Sequence, residues 1–176
     1  MRIISGIYGG RTLISPKDDS VRPTSDKVRG AMFNMIGSRM TMDGARVLDG
    51  FCGSGALGIE ALSRGAAHCT FVDKAVRLCE ENIEKLGASA QSRIVKSDVT
   101  RMGADAPFDL ILIDPPYEQE LAEAALTHLI ASALIAEDAL VIVEESRYVA
   151  FSIPDGLVLD AQKQYGDTSV YVLRAA

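Results

Sequence analysis

The sequence predicts an α/β fold: a seven-stranded, mostly parallel sheet with helices on both faces. Two observations carry this. From residue 45 onward, short β-branched apolar runs alternate with amphipathic or apolar segments of helical length, the rhythm of a sheet built from crossover units. The tail then reads as two strands with only Gly166-Asp167 between them, so the sheet closes on a hairpin.

The elements follow in order. "RIISGIYGGRTLIS" alternates weakly around Gly9-Gly10 and predicts a small N-terminal β-hairpin. "RPTSDKVRGAMFNMIGSRM" predicts a helix capped by Thr24 or Ser25, with Val28, Met32, Met35 and Ile36 on its apolar face. "ARVLDGF" is the first core strand, and a glycine loop leads from it into the helix "GALGIEALSRG". "HCTFVDK" and "SRIVKSD" are strands flanking the helix "AVRLCEENIEKLG", which Gly87 closes. "FDLILID" is the fourth strand, "ELAEAALTHLIASALI" a helix and "DALVIVEES" the fifth strand. "GLVLDAQKQYGDTSVYVLRA" supplies the last two. The whole reads as a single domain, with a hairpin-and-helix extension over 1–40 and a core over 41–176.

Composition narrows the class. The chain has 176 residues, 48% apolar and 24% charged, which is globular rather than disordered. No apolar run reaches membrane-spanning length and the N-terminus lacks a signal-peptide pattern, so a cytoplasmic protein with no membrane partner is expected. Cys52, Cys69 and Cys79 show no metal-ligand spacing, and His68 and His128 add little, so no metal is expected. The net charge is −6, but residues 1–40 carry +4 and the remainder −10. A basic arm on an acidic body fits polyanion contacts at one end, and equally a merely solvated segment.

"VLDGFCGSGALGIEA" holds a literal G-x-G-x-x-G at Gly53, Gly55 and Gly58. A dinucleotide would place its pyrophosphate at the following helix N-terminus, where positive potential is wanted. Asp49 ends the strand beside that loop and would repel it. The same acid suits a ligand with an ammonium and a sulfonium, such as S-adenosyl-L-methionine, whose carboxylate could use the loop N–H groups. Asp73 follows the second strand where an acid can accept ribose hydroxyls. Asp98, after the third, could accept from an adenine amino group. Each acid taken alone is as readily a turn former or helix cap. The order of strand, acid, glycines, acid, acid and finally Asp-Pro-Pro-Tyr favours methyl transfer.

"FDLILIDPPYEQ" ends a buried strand at Asp114, because proline cannot continue the ladder. An exocyclic amino group is a poor nucleophile, since its lone pair is delocalised into the ring. A carboxylate (Asp114) and a rigidly held carbonyl (Pro115) can each accept one amino hydrogen and stabilise the charge that develops on nitrogen. Tyr117 can stack on the base. A plain strand-terminating turn is the bland reading of the same residues.

"DPPY" at 114–117 with "VLDGFCGSGALGIEALSRGA" at 47–66 resembles the Rossmann-like class I methyltransferases of exocyclic amines. "MRIISGIYGGRTLISP", "RPTSDKVRGAMFN" and "YGDTSVYVLR" make the chain similar to the RsmD family, which methylates the guanine 2-amino group in 16S ribosomal RNA. The resemblance implies that Asp49, Gly53 and Gly55 hold the methionine portion, Asp73 the ribose and Asp98 the adenine. It implies that Asp114, Pro115 and Tyr117 face the guanine. Arg22, Pro23 and Thr24 would lie over the cofactor or at the RNA entrance, Pro116 would contact the substrate, and Arg29 would dock RNA as part of the basic arm. The implied partner is 16S RNA within the small subunit or its precursor. The likeness breaks at Gly30, where the family is associated with glutamate. Three other readings stay open: methylation of adenine in DNA or glutamine in protein, a non-catalytic cofactor-binding module, and a nicotinamide oxidoreductase.

Overall fold

The computed structural model describes residues 1–17, 25–116 and 120–176. The elements are α1 (Asp26–Gly37), β1 (Arg46–Gly50), α2 (Ala56–Ser63), β2 (His68–Asp73) and α3 (Arg77–Leu86), then β3 (Ser92–Lys96), β4 (Phe108–Ile113), α4 (Leu121–Ala131), β5 (Ile135–Ser146), β6 (Leu157–Tyr165) and β7 (Thr168–Ala175). Seven strands form one sheet in the order β3-β2-β1-β4-β5-β7-β6. The first five run parallel and β7 is antiparallel to both its neighbours. The carboxyl ends of β1, β2, β3 and β4 therefore meet at one edge. The order reverses at β1, where the chain has gone outward to β3 and returns as β4, and ligands bind beside such a switch point.

Strand alternation divides the core into two layers. Val47, Phe71, Leu110 and Ile142 face α1, α2 and α3, together with Ile3 and Leu13 of the N-terminal arm. Leu48, Val72, Ile111 and Val141 face α4 and the connection carrying Val99 and Met102. Each fully buried side chain of this size contributes ~1.5–3 kcal/mol over leaving it in water. The arm and α1 share the first layer with the sheet.

Ser25 caps α1 by accepting from the Val28 N–H at 3.2 Å. The buried face of that helix is Met32, Phe33, Met35 and Ile36, with Val28 only partly covered. One expectation is corrected in detail, and another is met. The N-terminal hairpin is present as a short antiparallel pairing: Arg2 bridges Thr12, Ile3 N–H donates to Arg11 O at 3.0 Å, Gly10 N–H to Ile3 O at 2.8 Å and Leu13 N–H to Met1 O at 3.0 Å. Its remaining backbone groups dock on α2: Ile4 and Ser5 donate to the Glu60 carboxylate at 2.9 and 3.1 Å, Tyr8 to Ser63 Oγ at 3.0 Å and Ile7 to the Ser63 carbonyl at 2.8 Å. The helix expected over 120–135 stops at Ala131. Ala133 adopts φ 53°, its N–H reaching Ile130 O and that of Leu134 reaching Leu129 O. That is a Schellman ending built on alanine, where glycine would have signalled it. Ile135 is thereby released to pair with Phe108.

Among the described residues, no helix is long and apolar enough to cross a membrane. The three cysteines are buried free thiols.

Candidate active site

The glycine loop owes its shape to three left-handed residues within five: Phe51 (φ 61°), Gly53 (φ 54°) and Gly55 (φ 82°). Phe51 bears the strain of a side chain in this region, about 1–2 kcal/mol, and packs its ring into the layer beside α4. Gly55 is the residue before the first turn of α2 and donates to Cys52 O at 2.7 Å. A Cβ on Gly53 would meet nothing within 4 Å, so open space adjoins the loop there. A Cβ on Gly58 would lie 2.4 Å from Phe71 Cε1 and 2.6 Å from Cys69 Sγ, so this glycine serves helix-on-sheet packing.

Asp49 is 1% exposed and its Oδ2 accepts from the Gly58 N–H at 2.8 Å. Burial pushes its carboxyl up to about 7, the Gly58 N–H opposes the rise, and the negative charge of Asp73 adds to it. Asp73, ending β2, braces the loop from the other side: its Oδ2 accepts from Gly53 N–H at 2.9 Å and its Oδ1 from Ala75 N–H at 3.2 Å. Asp98 caps the short 3-10 turn that follows β3, accepting from the Thr100 N–H at 2.9 Å and hydroxyl at 2.7 Å. Lys74 Nζ lies 3.0 Å from its other oxygen. The Thr100 hydroxyl above all, then its N–H and Lys74, hold this carboxyl down at about 2.

Gly50 pairs with Ile113 across β1 and β4, which sets Asp114 at the end of β4 beside the glycine loop. Pro115 is buried and Pro116 exposed. Asp49, Gly53, Gly55, Asp73, Asp98, Asp114, Pro115 and Pro116 thus gather at one sheet edge. Tyr117, Arg22, Pro23 and Thr24 lie outside the described residues.

Arg29 does not belong to this group, which corrects its expected role in docking RNA. It is 0% exposed, its Nη2 bonds Asp26 Oδ1 at 3.0 Å and the Arg2 carbonyl, and its Nε lies 3.7 Å from Glu60 Oε2. A guanidinium spent inside the protein cannot meet a phosphate.

Two further residues shape the site. Glu60 sits fully buried in α2, where its carboxylate gathers Ile4, Ser5, Arg29 and Arg64. An acid inside a helix that is apolar all round was its signal, because such a carboxylate requires partners. Asn82 of α3, also fully buried, accepts from Ile14 N–H at 2.7 Å and donates to Ile14 O at 3.0 Å and Ser54 O at 2.9 Å. It joins the N-terminal arm to the glycine loop, and nothing in its helical spacing announced this.

The residues fit S-adenosyl-L-methionine. The buried Asp49 keeps its proton to about 7 with a backbone N–H, not a cation, as the chief influence opposing protonation. A ligand bearing positive charge would supply that compensation. Asp73 spends one bond per oxygen on the backbone and retains lone pairs for a diol.

The family model described as Conserved hypothetical protein 95 matches residues 1–174. Bacillus subtilis YlbH is 38% identical, over 99% of this chain and 98% of its own. The Escherichia coli K12 protein named ribosomal RNA small subunit methyltransferase D is 36% identical over 82% of this chain and 74% of its own. The solved structure of Escherichia coli yhhF superposes with a TM-score of 0.86 at 31% identity, covering 99% of this chain and 97% of that one.

Proposed function

The chain belongs to the Conserved hypothetical protein 95 family, and from that membership together with its acid-lined edge we propose that it is an S-adenosyl-L-methionine-dependent methyltransferase of ribosomal RNA. The acceptor atom in this reading is the exocyclic 2-amino nitrogen of a guanine in 16S RNA, presented by the small subunit or its precursor. The observation that carries it is the pairing of Gly50 with Ile113, which puts Asp114-Pro115 next to the glycine loop.

The cofactor would supply a methyl group on a sulfonium: the N–C bond would form as the C–S bond breaks, the thioether leaving and one amino proton passing to solvent. Asp49, Gly53 and Gly55 would hold the methionine portion, and Asp73 the ribose. Asp98, held ionised by Thr100 and Lys74, would serve the adenine amino group. The Asp114 carboxylate and the Pro115 carbonyl each accept an amino hydrogen and draw electron density toward nitrogen, while φ fixed by each proline keeps that carbonyl in place. Pro116 would line the guanine's approach; the parts the family resemblance gives to Tyr117, Arg22 and Thr24 fall on residues outside those described.

The test is a transfer assay with radiolabelled S-adenosyl-L-methionine. It offers small subunits lacking the modification, beside free 16S RNA, DNA and bulk protein. Label recovered as 2-methylguanosine from the subunits is expected. Label in adenine of DNA or glutamine of protein would keep the chemistry and discard the substrate. Cofactor binding with no transfer to any acceptor would leave a binding module.

A further inference from the structure

The edge that carries Asp114 also carries an exposed aromatic ring that belongs to neither core layer. Tyr148 follows β5, the strand beside β4, and is 70% exposed. Its ring is nonetheless held. The hydroxyl donates to Asp167 Oδ1 at 3.0 Å, and the Arg147 guanidinium lies over the ring, 4.8 Å from its centroid. Arg147 is itself fastened to the β6–β7 turn, its N–H to Asp167 O at 2.9 Å and its Nη1 to Gly166 O at 3.3 Å. Tyr148 N–H reaches Ser146 Oγ at 3.3 Å, so backbone, ring and cation are all oriented before any partner arrives.

A ring tethered at its hydroxyl and backed by a cation on one face presents the other to solvent. Ordering costs are thus largely met in the free protein, which favours binding. Asp167 brings a negative charge to the turn, but it is engaged by the tyrosine hydroxyl. Ile113 pairs with Val143, so Asp114 is level with Glu144. Tyr148 lies four positions after Glu144, at most ~13 Å along the strand direction, with ~5 Å between strands. The platform is therefore within reach of a nucleotide adjacent to one held at Asp114-Pro115.

We infer that Tyr148, backed by Arg147, is a stacking platform for an unpaired RNA base next to the methylated one, with the remaining guanidinium N–H groups of Arg147 turned to its phosphate. This rests on the proposed RNA-methylating function and deepens it. A strand of RNA offers both a π-face and a negative charge at this spacing, as this pair of side chains requires.

The experiment measures transfer to modification-deficient small subunits by wild type, Tyr148→Ala, Tyr148→Phe and Arg147→Ala. Tyr148→Ala should raise KM for the subunits about ten-fold, with kcat and cofactor Kd unchanged. Tyr148→Phe keeps the ring and should stay within about two-fold of wild type. Arg147→Ala should lower the slope of log KM against log salt by about 0.7. Because both side chains are exposed, thermal melts should match wild type. A photoreactive phenylalanine at 148 should cross-link to 16S RNA. An unchanged KM in Tyr148→Ala, or cross-links to ribosomal protein in place of RNA, would overturn the inference while the enzyme's activity stood. No transfer by the wild-type protein would instead overturn the underlying function, and this inference with it.

Discussion

Asp49 Oδ2 and the backbone N–H of Gly58 are 2.8 Å apart, so the acid that ends β1 and the first turns of α2 form one unit. The acid is buried enough to keep its proton to about 7, against 3.8 for an ordinary aspartate. A carboxyl whose folded value is raised binds more protons in the native than in the unfolded state between these two values. Its contribution is complete below about 4 and is lost as pH rises through about 7. Melting of the cofactor-free protein should therefore shift to lower temperature across that window, with the raised Glu145 carboxyl adding in the same sense. Asp49→Asn should flatten most of the change; an equally steep profile in the variant would assign it elsewhere.

The same linkage predicts how the cofactor binds. A cationic ligand favours the ionised acid, so affinity for S-adenosyl-L-methionine should rise with pH and level off above about 7. Calorimetry at pH 6 in two buffers of different ionisation enthalpy should register net proton release. Identical apparent enthalpies in the two buffers would refute the coupling.

Arg29 and Glu60 make a different kind of prediction, because both are buried and their pairing distance is 3.7 Å. Arg29→Ala leaves the Glu60 carboxylate only Arg64 and the Ile4 and Ser5 N–H groups and empties a fully buried site, so it should cost about 2–5 kcal/mol, read by urea unfolding. Arg29→Met should recover part of that loss, since it refills the buried site with an apolar chain and leaves no unpartnered guanidinium N–H there. RNA affinity should follow the folded fraction in both variants. A loss of RNA affinity in a fully folded Arg29 variant would restore its surface role.

Asp114 and Asp73 should separate chemistry from binding. Asp114→Ala removes an acceptor for charge developing in the transition state and should lower kcat on the order of 10²-fold with cofactor Kd nearly unchanged. Asp73→Ala releases the Gly53 and Ala75 N–H groups, so cofactor affinity should fall first. Equal loss of both properties in both variants would indicate misfolding instead.

These residues also show what could be read in advance. The core strands, the glycine loop and the gathering of Asp49, Asp73, Asp98 and Asp114 at one edge follow from periodicity and strand-end chemistry, which act over a few residues. What escaped depends on contacts across long stretches of chain. Glu60 takes the backbone of Ile4 and Ser5 from fifty-odd residues away, which both fastens the hairpin to α2 and draws Arg29 inward. Asn82 likewise meets Ile14 and Ser54 only in the folded state. Ala133 ends α4 in a conformation its side chain disfavours, so no local signal marked it.

Gly53 and Gly58 belong to one sequence fingerprint but meet different needs, and alanine should tell them apart. At Gly58 the added carbon would fall 2.4 Å from Phe71 Cε1 and 3.0 Å from Asp49 Cβ, inside the close-packed contact of α2 with the sheet. Something must shift, at a cost of about 1–3 kcal/mol, and the bond from its N–H to Asp49 should weaken with it. At Gly53 the carbon meets no neighbour, so the stability cost is only that of φ 54°, about 1 kcal/mol. Yet the carbon would project into the space beside the loop that the cofactor's methionine portion would occupy. Gly53→Ala should thus melt close to wild type while losing at least ten-fold in cofactor affinity, and Gly58→Ala should lose stability first. If Gly53→Ala binds S-adenosyl-L-methionine as tightly as wild type does, the open space beside the loop is not where the cofactor sits.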